Sequence, residues 1–315
     1  MHKRLVNHCT IEFSLMTDGP ILVKSGKEGA DPTKPDMEFV ETYRAGGRTI
    51  YLPGSGLKGA IRAHSERIVR TVGRDRRDAS KPDLLWANDP LHDDYKYLEK
   101  QASPEIHKRS SYTDRLFGNT SLASRLRIED AYPVGEVKLE ERNGVAIDRV
   151  FGSVAVGPFN YQVCTVGEFA TKIHLKNFTL GQLGLLGLVL RDLDDGWFGI
   201  GFAKSRGLGS MKVKFDRATV QYPGCILTDD RQIRQLGHDR VWAGTTLLGA
   251  GEFLDDGERQ SYGFPSSDIQ TGIPVSAQAM EYGMGVELRW TGEEVQDLFI
   301  RSVKAWSRLL QGAAA

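Results

Sequence analysis

The sequence predicts an α+β fold in which four antiparallel strands are backed by two helices. Four short segments have the composition of strands, and the first of them alternates apolar and polar residues. Two longer segments repeat their apolar residues at the helical spacing. In chain order these segments run strand, helix, strand, strand, helix, strand, which is the βαββαβ order of the ferredoxin-like fold.

The first half of this pattern begins with TIEFSLM, whose apolar residues lie on one face of a strand. The first helix follows the turn at Pro53 and Gly54, and Ser55 is its expected N-cap. Lys58 and Arg62 project together near its N-terminal end, because residues four apart lie on one side of a helix. The apolar stripe of this helix consists of Leu57, Ile61, Ile68 and Val72.

The second half supplies three more strands and a second helix. Residues 125–131 and 167–178 are predicted as the second and third strands. The leucine-rich residues 179–195 are predicted as the second helix, and residues 209–215 complete the sheet as its fourth strand.

The predicted core covers residues 1–220, and residues 221–315 are expected to form a C-terminal extension that ends in an amphipathic helix. This extension is either a packing element or a partner-binding element. Three segments of the core are longer than a compact domain needs, and such segments are usually functional or disordered. They are residues 17–50, the polar surface insertion 73–115 and the link 132–166.

The composition is that of a globular protein, with 40% hydrophobic and 26% charged residues. We find neither a membrane-spanning run nor a signal-peptide core, which predicts a cytoplasmic protein without a membrane partner. The three cysteines, Cys9, Cys164 and Cys225, are isolated and lack the C-x-x-C spacing of zinc ligands. They favour a reducing compartment and argue against a stable metal site.

A formal net charge of zero hides a segregation of charge along the chain. Residues 42–77 carry nine basic and two acidic side chains, a net +7, whereas residues 226–315 carry eight basic and thirteen acidic ones, a net −5. A basic segment of this kind is either a solvated surface or a patch that binds an anionic partner.

The stretch GIGFAKSRGLGSMKVKF, residues 199–215, combines four glycines with Lys204 and Arg206. In a dinucleotide-binding loop the glycines follow a strand and open a helix. Here a helix precedes the loop and a strand follows it, and Lys204 stands where the third glycine is required. The G-K-[ST] of a P-loop is missing as well, so this is not a nucleotide-binding loop of either kind.

Four segments resemble, in this order, the motifs of one family: YLPGSGLKGAIRAHSERI, RLFGNTSLASRLRIEDA, VAIDRVFGSV and GIGFAKSRGLGSMKV. The family is the RAMP superfamily, and within it the sequence is similar to the backbone subunit of type III CRISPR effector complexes. The resemblance covers about residues 8–217, and residues 226–315 have no obvious counterpart in the family.

The resemblance implies a subunit that lies along a guide RNA beside other CRISPR effector subunits and meets a complementary target RNA. Such a subunit holds the RNA backbone through main-chain N–H groups and cations, whatever the base sequence. An alternative is that the loop glycines only turn the chain tightly into the fourth strand. The implied RNA-binding residues are Gly54, Ser55, Gly56, Lys58, Arg62, Lys204 and Arg206.

The link 132–166 resembles the family's thumb, a β-hairpin that crosses the guide–target duplex and displaces a base. Asp148 and Arg149 open its tip and are assigned to RNA binding by the resemblance. Apolar wedges for stacking on a displaced base are available in Val150, Phe151 and Val154. The same residues are also suited to packing on a neighbouring subunit.

The resemblance further implies an endoribonuclease that uses Mg²⁺ or Mn²⁺ and no organic cofactor. In catalytic members an Asp between the first strand and the first helix supports cleavage of the target by its own 2′-hydroxyl. The spacing to the P-G-S segment favours Asp36 for this role, with Asp31 as the second candidate.

Two alternatives remain open at the level of sequence. The chain is a non-catalytic scaffold for guide RNA, or it processes the guide precursor with a histidine as general acid or base. His64, on the first helix, is the candidate for that second role, and we expect it on the helix surface.

Overall fold

The computed structural model of the chain describes residues 3–26, 35–44, 46–78, 85–91 and 95–312, with side chains up to residue 306. Within these residues the helices are α1 Gly54–Val72, α2 Ser103–Arg109, α3 Asp114–Phe117, α4 Leu180–Asp194, α5 Asp256–Tyr262 and α6 Val295–Gly312. None of the helices in these ranges is long and apolar enough to cross a membrane.

The strands of the described chain form one large antiparallel sheet and four small ones. In chain order they are β1 His8–Thr17, β2 Glu41–Arg44, β3 Gly47–Ile50, β4 Leu126–Ile128, β5 Tyr132–Pro133, β6 Lys138–Ile147, β7 Val154–Val166, β8 Glu168–Lys176, β9 Met211–Tyr222, β10 Cys225–Leu227, β11 Gln232–Gln235, β12 Val241–Ala243, β13 Thr246–Leu248, β14 Ile269–Thr271, β15 Gln278–Ala279 and β16 Val286–Thr291.

The large sheet has the strand order β15-β16-β9-β1-β8-β4, with β5 also paired to β8. β1 is central, and its Ile11 lies opposite Ile173 of β8 and Ala218 of β9. The four strands that the sequence predicts are therefore adjacent, in the order fourth, first, third, second. This confirms the α+β, ferredoxin-like fold.

Two helices cover one face of this sheet, as predicted. Alternate residues of β1, among them Ile11 and Phe13, are buried beneath α1 and α4. In α1 the apolar stripe is buried at Leu57 and Ile61, but Val72 is 45% exposed. The predicted stripe is therefore too long at its end, because α1 extends past the edge of the core.

Helix α4 is buried on nearly every side, because α6 packs against the face that the sheet leaves free. A Cβ atom on Gly184 would lie 2.5 Å from the Ser302 carbonyl oxygen, and one on Gly187 would lie 2.5 Å from the Phe299 ring. Gly184 and Gly187 therefore permit a close helix–helix approach.

The C-terminal residues belong to the same core as the rest of the fold. β16 pairs with β9, and Trp290 and Leu298 are fully buried in the main hydrophobic cluster. The boundary that the sequence suggested at residue 220 falls inside β9. The sequence left open whether the extension packs on the core or binds a partner, and these contacts are packing contacts.

The insertion 73–115 is less exposed than its polar composition suggests. Trp86, Leu98 and Tyr112 are buried, and Trp86 also forms a bridge to Arg74 after α1. The surface location expected from sequence is therefore wrong for these residues. A few large apolar side chains in a polar segment suffice to attach it to the core.

The link 132–166 contains the hairpin of β6 and β7. Its base is joined to the core through a bridge between Ile21 and Cys164. Most side chains of β6 are exposed, and the apolar side chains near the tip are exposed as well. The hairpin therefore projects from the sheet.

The cysteines are free and buried at all three positions, Cys9, Cys164 and Cys225. Burial raises the pKa of each thiol above its ordinary value. Neutral, enclosed thiols of this kind serve as small apolar core residues.

Candidate nucleic-acid interface

The start of α1 faces the glycine-rich loop across a groove of about 320 Å³. Small residues of the helix form one wall, and loop residues form the other. The groove brings together two of the predicted RNA-binding residues, Gly56 and Lys204. Its main lining residues are Gly56, Gly59, Ala60, Ala63, Gly201 and Lys204.

Ser55 and Gly56 are exposed at the first turn of α1. Within the described chain their backbone amides have no hydrogen-bond acceptor. The helix begins two residues earlier than expected, with Pro53 as its N-cap, so the predicted capping role of Ser55 is wrong. Free amides at the start of a long helix are suited to bind an anion.

Gly54 is buried and has a structural role instead. Its amide donates a hydrogen bond to Asp130 Oδ1 at 2.7 Å. A Cβ atom at this position would lie 2.4 Å from the Ile128 carbonyl oxygen. Glycine is therefore required for α1 to approach β4, and the prediction that the Gly54 amide contacts RNA is corrected.

Lys58 also serves the fold. Its Nζ donates to Ser124 Oγ at 2.8 Å and to the Leu126 carbonyl oxygen at 3.3 Å. Burial, and then the charge of Arg62, lower the pKa of Lys58. Lys58 thus ties α1 to the segment before β4 and is not the free cation that the sequence suggested.

Arg62 is fully engaged within the protein as well. Its guanidinium donates to Glu66 Oε1 at 2.8 Å, to Asp114 Oδ1 at 2.9 Å and to the Gly118 carbonyl oxygen at 2.8 Å. Burial alone would lower the pKa of Arg62, but the hydrogen bond and charge of Glu66, with the charge of Asp114, raise it. Buried carboxylates of the protein itself therefore neutralise part of the positive charge predicted for residues 42–77.

The glycine-rich loop folds against residues that follow β1. Phe202 donates its amide to the Leu22 carbonyl oxygen at 2.7 Å, and a Cβ atom on Gly201, where φ is +89°, would lie 2.3 Å from that oxygen. Gly209 has φ +92° and a similarly close approach to Ile200. These glycines are explained by tight chain packing, so of the two interpretations the sequence left open, the structural one accounts for them.

The loop nevertheless presents exposed cations around an aromatic ring, which we call the loop cluster: Lys24, Phe202, Lys204 and Arg206. Lys24 Nζ and Arg206 Cζ each lie 5.0 Å from the centre of the Phe202 ring. Lys204 and Arg206 belong to one turn flanked by left-handed residues. Among the described residues, none of the three cations pairs with a carboxylate.

Sequence analysis predicted Lys204 and Arg206 but missed Lys24 and Phe202. The aromatic residue two positions before Lys204 in GFAKSRG was an available signal. Lys24 had none, because it reaches the cluster only through the packing of residues 20–24 on the loop.

The tip of the hairpin exposes Val150 and Phe151, at 82% and 84%. Asp148 Oδ1 accepts hydrogen bonds from the amides of both residues, each at 2.8 Å. Asp148 therefore shapes the tip, and its contact with RNA stays a prediction. Arg149 is exposed beside it and is available to a partner.

Asp36 is exposed beside the middle of strand β7 in the hairpin. Its Oδ2 accepts the amide of Asn160 at 2.8 Å, and the Met37 amide donates to the Asn160 carbonyl oxygen at 3.2 Å. Asp31 lies outside the described residues. One oxygen of the Asp36 carboxylate is thus fixed on β7, while the group as a whole faces solvent.

The segment around Asp36 connects the hairpin to the loop cluster. On one side Gln162 of β7 donates its amide to the Met37 carbonyl oxygen at 3.0 Å. On the other side the Val40 amide donates to the Val23 carbonyl oxygen at 2.8 Å, and Val23 lines the groove. Asp36, the groove and the cluster therefore belong to one continuous hydrogen-bonded region.

Metal ligands are sparse in this region. In the part of the chain that the structure describes, no group of three or more His, Cys, Asp or Glu side chains is arranged to hold a metal ion. A single exposed carboxylate such as Asp36 suits Mg²⁺ when substrate phosphates supply further ligands, because this ion commonly binds through one or two carboxylates plus phosphate oxygens.

His64 is buried rather than on the helix surface. Its Nε2 lies 2.7 Å from Asp192 Oδ2, and its ring stacks on Phe198 with 4.3 Å between centroids. The surface position expected from sequence is wrong. An imidazole that is 7% exposed and held in this way is placed to join α1 to α4, not to reach a substrate.

The uncovered face of the large sheet carries charges that pair with one another. Glu12 binds both Lys172, at 3.1 Å, and Arg217, at 2.7 Å. Glu129 similarly binds His174 and Arg127. Several charges on this face are therefore already paired, unlike those of the loop cluster.

The strand order, the two covering helices and the glycine-rich loop define a ferredoxin-like protein with a basic groove at the start of its first helix. The family model of the RAMP superfamily matches residues 14–212 of the chain, well over half of its length. The chain belongs to the RAMP superfamily, and so to a group of CRISPR-associated RNA-binding proteins. No individual curated protein matches it.

Proposed function

We propose that this protein is a guide-RNA-binding backbone subunit of a type III CRISPR effector complex. The observation that carries the proposal is the groove with Gly56, whose amide is free within the described chain, on one wall and Lys204 of the loop cluster on the other. Its partners are the guide RNA, a complementary target RNA and other effector subunits, in the cytoplasm.

The groove suits a phosphate backbone and offers little for reading bases. Backbone amides at a helix start favour anions, and Gly56 leaves them uncovered by a side chain. Lys204 and Arg206 add point charges that are not already neutralised, and the Phe202 ring offers a surface for stacking. The expected binding is therefore indifferent to sequence and sensitive to salt.

A salt titration of RNA binding tests this proposal. Lys204→Ala combined with Arg206→Ala should reduce the log–log slope by about 1 to 1.5 units, because each phosphate neutralised on a single strand contributes about 0.7. The matched control is Arg234→Ala with Lys304→Ala, which removes two exposed cations outside the groove. Equal slopes for the two double variants would reject the groove as the RNA site.

The second part of the proposal is cleavage of the target RNA within the assembled complex. Asp36 is the proposed catalytic carboxylate, held by the Asn160 amide and open to solvent on the hairpin side. The 2′-hydroxyl of the target nucleotide attacks the adjacent phosphorus, and the bond to the 5′ oxygen of the next nucleotide breaks. Asp36 would hold Mg²⁺ or Mn²⁺, whose positive charge would stabilise the negative charge that develops on the phosphate.

Replacement of Asp36 in the assembled complex tests this second part. Asp36→Asn should lower the cleavage rate by about 100-fold or more, while assembly and target binding change less than about twofold. A target with 2′-deoxyribose at the cut should not be cleaved, because the attacking group is absent. Asp31→Asn is the matched control, with a near-normal rate.

The outcomes separate the alternatives. If Asp31→Asn abolishes cleavage and Asp36→Asn does not, the catalytic role belongs to Asp31. If neither residue matters because the assembled wild-type complex does not cut its target, the chain is a non-catalytic scaffold. Precursor processing by His64 is disfavoured by the burial of that imidazole.

A further inference from the structure

A second cavity, of about 380 Å³, lies away from the groove. Its walls come from the insertion 73–115, from the segment before β4 and from residues 260–265. The last of these ranges lies beyond the residues that the family model matches. The residues that matter are Trp86, Lys108, Tyr112, Arg115, Arg125 and Phe264.

Arg125 is the central feature of this cavity. It is 2% exposed, and its Nη1 donates to the Asn177 carbonyl oxygen at 2.7 Å. Its Nε and Nη2 are buried without a hydrogen-bond partner, although both are obligate donors. A buried guanidinium with two open donors is costly unless a ligand satisfies them.

The other cations of the cavity are also without a carboxylate. Arg115 donates to the carbonyl oxygens of Ser110 at 3.2 Å, Gly263 at 3.3 Å and Lys108 at 2.5 Å. The Lys108 side chain is exposed at the rim. Across the described chain, no carboxylate forms an ion pair with Arg115, Arg125 or Lys108.

The buried acid Asp268 does not pair with this cluster. Asp268 accepts hydrogen bonds from the amides of Leu180 at 2.8 Å and Gly251 at 3.1 Å, which use both of its carboxylate oxygens. The cavity therefore holds an excess of positive charge that the protein itself does not balance.

The walls of the cavity are aromatic as well as basic. Arg125 Cζ lies 5.4 Å from the centre of the Phe264 ring, and Trp86 and Tyr112 line the same space. Guanidinium groups bind phosphate oxygens in a fork, and aromatic rings stack on bases. The volume is within the range of small-ligand pockets.

We propose that this cavity binds a phosphomonoester of the nucleotide class, with its phosphate on Arg125 and Lys108. Two sources share this chemistry, a free nucleoside monophosphate and the terminal phosphate of an RNA chain. The site is separate from the groove, and one of its walls, residues 260–265, lies beyond the matched part of the superfamily fold.

Calorimetric titration of the full chain tests the proposal with AMP, inorganic phosphate and adenosine as probes. AMP and phosphate should bind, and adenosine should bind at least about tenfold more weakly than AMP, because charge-assisted hydrogen bonds to the phosphate are lost. A pair of short RNAs with a 5′-phosphate or a 5′-hydroxyl distinguishes the two sources. If AMP displaces the RNA with a 5′-phosphate but not the RNA with a 5′-hydroxyl, the natural ligand is an RNA end. If the two RNAs bind with equal affinity, the natural ligand is a free nucleotide.

Variants make the assignment specific. Lys108→Gln, at an exposed position, should weaken AMP about fivefold or more without affecting folding, and Arg125→Lys should weaken it further. Arg109→Gln is the control, because it removes a cation of the same helix that does not line the cavity. Equal binding of AMP and adenosine, unchanged affinity in Lys108→Gln, or no binding of AMP at millimolar concentration would each overturn the proposal.

Discussion

Arg62 joins three parts of the protein through one guanidinium. The side chain of its partner Asp114 is completely buried, and it also accepts hydrogen bonds from Asn88 at 2.9 Å and from Tyr95 at 3.2 Å. Removing Arg62 would leave that carboxylate buried without its cation. The charge of Arg62 is thus used within the fold.

Arg62→Ala should therefore lower the free energy of unfolding by about 3 kcal/mol, the scale for breaking a buried ion pair from one side. Urea denaturation measures this change. Arg67→Ala, at an exposed position of the same helix, should change stability by no more than about 0.5 kcal/mol. If the Arg62→Ala protein is as stable as wild type but its RNA affinity depends less steeply on salt concentration, Arg62 belongs to the RNA-binding site.

Asp268 is a second residue whose environment has a measurable consequence. Burial raises its pKa to about 7, although the amides of Leu180 and Gly251 act in the opposite direction. As pH rises, the unfolded chain, in which the pKa of this carboxyl is the ordinary 3.8, releases the proton at a lower pH than the folded protein does. The contribution of Asp268 to the free energy of unfolding should fall as pH rises from about 4 to about 7.

Asp268→Asn should remove this component, because the amide cannot ionise. Urea unfolding at about pH 5 and about pH 8 should show a smaller loss of stability with rising pH in the variant than in wild type. Asp230→Asn, at an exposed position, should retain the wild-type difference. The same pH difference in all three proteins would show that Asp268 ionises normally.

At the scale of elements, the hairpin of β6 and β7 combines a fixed base with an exposed apolar tip. Phe151 and Val154 are 84% and 57% exposed, so neither contributes to the core. Asp148 holds the tip in shape independently of them. The tip is thus free to contact a partner without cost to the fold.

Replacing Phe151 and Val154 with Ser should leave the thermal stability of the subunit and its guide-RNA affinity nearly unchanged. In an assembled complex that cuts its target, the positions of cleavage should become irregular, because the wedge that displaces a base is lost. Gel analysis of the cleavage products measures this effect. Loss of guide-RNA assembly in the variant would show instead that the tip is a contact between subunits.

The elements with strong patterns were predictable from sequence, and those held by tertiary contacts were not. β1, α1 and α4 carry clear alternation or helical spacing, and the structure has them where we predicted. The short strands β10 to β14 have three or four residues each, too few for a period to be visible. Lys58 and Arg62 show the same limit at the site, since only the fold reveals that their charges are already used.

At the scale of the whole molecule, the C-terminal residues complete the core. Trp290 of β16 is fully buried, and α6 covers the face of α4 where Gly184 and Gly187 allow close contact. Without these elements the leucine-rich α4 would be exposed to water along one side. These contacts predict that the described chain unfolds as one unit.

A chain that ends at residue 220 should consequently lose cooperative thermal unfolding and aggregate, because it exposes a large apolar surface. Circular dichroism during heating and gel filtration measure these properties. A chain that ends at residue 312 is the control and should behave like the full chain. A soluble, cooperatively unfolding 1–220 protein would establish the C-terminal residues as a separate domain.

The short strands at the two edges of the large sheet limit backbone pairing between neighbouring copies of the chain. β15 has two residues and β4 has three, so few unpaired N–H and C=O groups are available at either edge. Copies of the chain held side by side on one RNA would experience a very high effective concentration of each other. Long open edges would then join copies through their backbones, whereas short edge strands would leave the spacing between neighbours in the proposed complex to be set by the RNA.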